Sequence, residues 1–188
     1  MNEETQVDYG PLAGLIGVWE GDKGMDIAPE PDGIEENPYY ETITYEACGE
    51  LTNANKQIVA GIYYRQTVRR KSDNNIFHDQ IGYWMWDAKE KTIMNGFVIP
   101  RAVSVLAGNI YEANPDEAGN IIIEVTAKLN DKNWGIIQSP FMQNNALTTA
   151  FEQKIIIGKN KLSYSETTML DIYGKPFEHT DDNSLSLK

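Results

Sequence analysis

The stretch Ile121-Ile122-Ile123-Glu124-Val125-Thr126-Ala127-Lys128-Leu129 carries the plainest pattern in the chain. Ile121, Ile123, Val125, Ala127 and Leu129 fall on one side, and Glu124, Thr126 and Lys128 on the other. A period of two, with branched apolar residues on one side only, marks a strand with one buried and one wet face. Similar patterns cover 17–24, 39–48, 57–71, 75–86, 91–99, 102–111, 147–157, 161–170 and 176–187, so ten strands are expected in all. The links between them are rich in turn formers: KSDNN at 71–75, DAKEK at 87–91, NPDEAGN at 114–120 and GKNK at 158–161.

Ahead of the strands, Asp8 can cap a short helix over 8–16, with Pro11 in its first turn and Leu12, Leu15 and Ile16 on one face. Such a helix would lie across one end of the sheet as a plug. No strand–helix alternation follows it, which disfavours a doubly wound fold. Evenly spaced strands joined by tight turns point to an all-β protein, an antiparallel up-and-down β-barrel of about ten strands, as one domain over residues 1–188. Two segments interrupt the rhythm. APEPDGIEENP (28–38) reads as an acidic, proline-stiffened loop, and NDKNWGIIQSPFMQNN (130–145) as a long loop forming a rim over a cavity mouth.

The formal net charge of −12 disfavours nucleic acid and anionic membranes as partners, since both select a basic surface. The single cysteine, Cys48, offers no internal disulfide and suits a reducing compartment. The acidic opening MNEETQVDYG lacks the basic and apolar regions of an export leader, and no apolar run reaches membrane-spanning length. A cytoplasmic protein is expected. No Gly-x-Ser-x-Gly elbow and no zinc-type His/Cys cluster appears, so a hydrolase reading has little behind it.

Three segments in order along the chain, GLIGVWEGDKG (14–24), FHDQIGYWMW (77–86) and KLSYSETTMLDIYGKPFEHTDDNSL (161–185), resemble the nitrobindin family. These are haem-binding β-barrels related in fold to fatty-acid-binding proteins and lipocalins, the calycin barrels. The first segment carries Gly17, Trp19, Gly21 and Gly24, a pattern that speaks for closure of such a barrel. The resemblance implies haem b as cofactor, with His179 as the axial iron ligand and His78 inside the cavity. It also implies that the open iron face takes nitric oxide or isomerises peroxynitrite to nitrate.

Parity on 77–86 puts His78, Gln80, Gly82, Trp84 and Trp86 on one face, so Trp84 and Trp86 are expected to line a cavity that contains His78. On 161–170, Leu162, Tyr164, Glu166 and Thr168 share a face opposite Met169, and the resemblance makes Thr168 and Met169 further candidates near the cofactor. Glu178, Asp181 and Asp182 add an acidic rim beside His179. The competing reading is a non-catalytic carrier of an apolar small molecule such as a fatty acid, its carboxylate held by Arg65 or Arg101 with Tyr63 or Tyr164. Both readings place a small-molecule ligand in the barrel. The choice between monomer and homodimer stays open.

Overall fold

The computed structural model describes residues 7–188; the first six residues, part of the opening read above as no export leader, lie outside them. Eleven strands form: β1 (Gly17–Glu30), β2 (Gly33–Asn53), β3 (Gln57–Arg70), β4 (Ile76–Asp87), β5 (Thr92–Ile99), β6 (Val103–Ile110), β7 (Ile121–Lys128), β8 (Ile136–Gln138), β9 (Ala146–Ile157), β10 (Lys161–Ile172) and β11 (Lys175–Leu187). Ten of them close an antiparallel barrel in near-sequential order, with β5 paired to β6 and β1 paired to β11. The eleventh, β8, pairs with Val103–Val105 of β6, whose other end meets β7 at Gly108↔Thr126. The all-β, calycin-like barrel read from the sequence is the fold. Among the described residues, no helix is long and apolar enough to cross a membrane.

The period-two pattern does what it implies. In β7, Ile123, Val125 and Ala127 are buried and Glu124, Thr126 and Lys128 are exposed. Carboxylates in the turns satisfy backbone N–H groups where the ladders stop: Asp87 Oδ1 accepts from Lys89 and Glu90, and Asp116 Oδ1 from Ala118 and Asn120. Tyr173 and Gly174, with φ of 55° and 75°, make the two-residue turn between β10 and β11.

Three expectations change. The segment 28–38 is no loop: β1 and β2 run on as a hairpin arm, pairing Ala28 with Glu35 and Pro29 with Ile34. The last β1–β11 pair is Ile27↔Thr180, so the edge of Pro29 that lacks an N–H has no ladder to break. The 8–16 helix shrinks to a 3₁₀ turn, Gly10–Leu15, that starts at Gly10 with φ 49°; its N-cap position falls on Tyr9 and has no side-chain cap, and Asp8 only accepts from Gly10 N at 2.8 Å just ahead of the turn. The stretch 130–145 carries β8 and a short helix, α1 (Pro140–Asn145), capped by Ser139.

The 3₁₀ turn does plug one end. Leu12 and Leu15 are fully buried with Trp19, Trp84, Ile62 and Ile123, and the Trp19 indole N–H donates to Leu15 O at 2.7 Å. Gly10 passes so close to Trp86 that a Cβ there would lie 2.3 Å from the indole nitrogen. Filling that end with large apolar side chains leaves any interior space at the other.

Candidate functional site

That space is a cavity of about 350 Å³ at the end bounded by the β1–β2 arm, α1 and the β5–β6 and β10–β11 turns. A larger groove, about 960 Å³, lies outside the barrel along the β1 bulge and the β9–β10 turn. It is open to solvent and holds neither histidine, so the smaller interior cavity is the functional candidate. His78, His179 and Thr168 all line the interior cavity, as do Arg101, Tyr164 and, from α1, Met142. Trp84 shares the inward face of His78 but lies six residues further along β4, about 20 Å at strand rise, and is packed in the plugged end. Trp86 lies deeper still. Met169 alternates away from Thr168 and does not reach the lining. Arg65 and Tyr63 are on the outer face, where Arg65 grips Asp79 in a bidentate pair and Tyr63 packs edge-on against Tyr83.

Beneath the cavity a belt of hydrogen bonds crosses the barrel. His78 Nε2 meets Gln80 Oε1 (3.3 Å), Gln80 donates to the Tyr64 hydroxyl (2.6 Å), and Tyr64 donates to Asn95 Oδ1 (3.2 Å). Asn95 then donates to Gln153 (3.4 Å), and Gln153 to Glu166 Oε2 (2.9 Å). Since Gln80 Oε1 can only accept, His78 carries its proton on Nε2, and every link donates toward Glu166. Burial pushes the His78 proton affinity down, with Arg101 and His179 adding to the effect.

His179 is held differently. Its Nε2 lies 2.6 Å from Asp26 Oδ1 and 3.6 Å from Asp181 Oδ2. Asn37 Nδ2 donates to the other Asp26 oxygen, and Arg70 Nε steadies Asn37. Burial opposes a charge on this imidazole, yet the Asp26 hydrogen bond and the two carboxylates outweigh it and raise its proton affinity above the ordinary value. Asp181, partly buried and beside Asp26, is pushed up to about 7 by desolvation, and Glu166 is raised well above the usual carboxylate range by desolvation and neighbouring acids.

A third network sits behind the wall. Glu41 is fully buried and accepts from Gln66 (2.6 Å), Asn183 (2.6 Å) and the Tyr164 hydroxyl (3.0 Å), and Tyr164 in turn meets the Tyr39 hydroxyl at 2.8 Å. Burial raises Glu41 to about 7 despite these donors. Sequence reasoning missed Glu41, Glu166 and Asp26. A signal existed for the first two: each carboxylate stands in register with inward aromatic or apolar residues, Glu41 with Tyr39 and Ile43, and Glu166 with Tyr164.

For haem, part of the lining suits a macrocycle: Phe97, Phe151, Val103 and Leu170 form an apolar wall, and Arg70 and Arg101 stand where acid side chains could be met. The iron-binding atoms do not suit it. An imidazole ligates through an unprotonated nitrogen, and Nδ1, next to Cβ, is crowded against a flat porphyrin. Both Nε2 atoms are already committed, one to Gln80 and one to Asp26, and the carboxylates around His179 favour its protonated form. As arranged, the two histidines do not fit axial ligation.

A family model described as the THAP4-like, heme-binding beta-barrel domain matches residues 8–186. Among solved structures, Rv2717c from M. tuberculosis superposes with a TM-score of 0.67 at 19% identity, over 94% of either chain, a likeness that speaks for the fold alone. No curated protein matches.

Proposed function

The chain belongs to the THAP4-like haem-binding β-barrel domain family, and we propose that it works as a receptor for one small polar molecule, seated in the interior cavity between His78 and His179. The observation that carries this reading is the commitment of both imidazoles through Nε2, in a cavity lined by Asp26, Glu166 and Asp181. A fatty acyl chain is the poorer occupant, because it would strip water from these carboxyls and return no hydrogen bond. Binding here needs no acid–base or redox step.

Haem b is the second reading, and family membership favours it. His179 would then hold the iron, with His78 and Thr168 facing the bound group, and the iron would supply the chemistry toward nitric oxide or peroxynitrite. For this chain the reading has a condition: Asp26 must release Nε2, and His179 must lose its proton.

A hemin titration followed in the Soret region, on the wild type, His179→Ala, His78→Ala and Asp26→Asn, separates the two. The first reading expects no saturable band, or one unaltered by either histidine variant. A saturable band that disappears in His179→Ala and strengthens in Asp26→Asn would replace it with the haem reading.

A further inference from the structure

Strand register sets three carboxylates side by side. Asp26 on β1 is the direct cross-strand partner of Asp181 on β11, which is the direct partner of Glu166 on β10. The row continues at both ends into amides: Asn37 on β2 is the partner of Asp26, and Gln153 on β9 the partner of Glu166. All five lie at one level of the barrel, with opposed Cβ atoms about 5 Å apart, where like charges repel. Each end amide donates inward, Asn37 to Asp26 Oδ2 and Gln153 to Glu166 Oε2. His179 takes up the remaining Asp26 oxygen.

The middle of the row is left over. Among the described residues, Asp181 receives no hydrogen bond on either oxygen; its one ion-pair contact is the His179 nitrogen at 3.6 Å, whose hydrogen bond goes to Asp26. Glu166 Oε1 likewise has no donor, and neither Glu166 nor Asp181 has a lysine or arginine within ion-pair distance. Carboxyls that face an interior cavity are normally hydrogen-bonded, so adjacent acceptor oxygens there without a donor describe a missing partner. Aromatic rings stand nearby in the same lining: Phe97 against Phe151 at 5.0 Å, and Tyr39 against Phe77 at 6.2 Å.

We infer that the cavity's ligand is a small organic cation carrying at least two N–H donors, an amidinium, guanidinium or primary ammonium. It bridges Asp181 and Glu166 while its body lies on the aromatic wall. The inference rests on the receptor reading above and names the ligand class. A planar N–H fork matches a carboxylate pair in shape and charge, and the rings add attraction for a cation. A metal ion is the poorer occupant. His179 and Asp26 approach to 2.6 Å, a hydrogen-bond spacing, whereas two ligands of one ion at about 2.1 Å would stand further apart.

Isothermal titration with three near-isosteric probes, benzamidinium, benzamide and benzoate, tests the inference on the wild type, Glu166→Gln and Asp181→Asn. Both substitutions keep side-chain shape and remove repulsion, and circular dichroism and thermal melting check that the barrel is retained. Benzamidinium is expected to bind, and its affinity to fall about tenfold or more in each variant, the worth of one charge-assisted hydrogen bond; benzamide and benzoate are expected to be silent. Benzoate or benzamide binding as well as benzamidinium overturns the inference, and so does an affinity for benzamidinium that both variants leave intact. No binding of benzamidinium at millimolar concentration also overturns it. The receptor reading falls separately, on the hemin result.

Discussion

Glu41 should make the stability of this barrel fall with rising pH, in a way that one substitution removes. Its carboxyl is sealed behind the cavity wall, faced by Gln66, Asn183 and Tyr164, with Asp181 near enough to oppose its charge. Burial moves it from the ordinary 4.5 to about 7. Because the folded protein holds this proton more tightly than the unfolded chain, the contribution is whole below about 4.5. It is lost as pH climbs through about 7. A rise of that size is worth about 3 kcal/mol. Glu41→Gln cannot ionise, but its amide must turn two N–H donors toward groups that now donate to Glu41, a pH-independent cost of about 1–3 kcal/mol. Urea unfolding of both proteins from about pH 4.5 to about pH 8 gives a difference curve in which titrations that do not feel the Glu41 charge cancel. That curve should fall by about 3 kcal/mol in favour of the variant as pH rises. A difference that stays level with pH would refute the reasoning.

Three further outcomes follow from the packing and from the His179 corner. Gly24→Ala would place a Cβ 1.9 Å from the buried Tyr39 ring, so thermal melting should show a large loss or no folded protein; Gly33→Ala, with nothing within 4 Å, should melt near the wild type. The Trp84 indole nitrogen is buried without a partner while that of Trp19 donates to Leu15 O, so Trp19→Phe should cost about 1 kcal/mol more than Trp84→Phe in urea unfolding. Proton NMR titration should put the His179 midpoint above the ordinary imidazole value of 6.5, and Asp26→Asn should lower it. A midpoint indifferent to that substitution would contradict the hydrogen bond assigned to Asp26.

The barrel was legible because strand alternation is a local property. The faces of β4, β7 and β10 read from Glu124, His78 and Glu166 are the faces the fold uses. Distance along a strand was not legible from parity: Trp84 and His78 share a side, yet stand at opposite ends of the barrel. Nor could the row Asp26–Asp181–Glu166 be read, since it depends on the register of three strands. That register shifts at the β1 bulge between Gly21 and Gly24, where no pattern announces how many residues are skipped. The hairpin arm at 28–38 was hidden by its prolines and acids; Pro29 is tolerated there because β1 has outrun its β11 neighbour.

The seam between β1 and β11 joins Trp19 to Leu187, so the barrel closes through a contact spanning nearly the whole chain. During synthesis β1 can find β2 at once, but its other edge stays open until β11 has left the ribosome. Until then the growing sheet is an unfinished curl with two bare edges, open to pairing with other chains. Closure is a late event of high contact order, and the strong negative charge of the chain then keeps one unfinished curl from another.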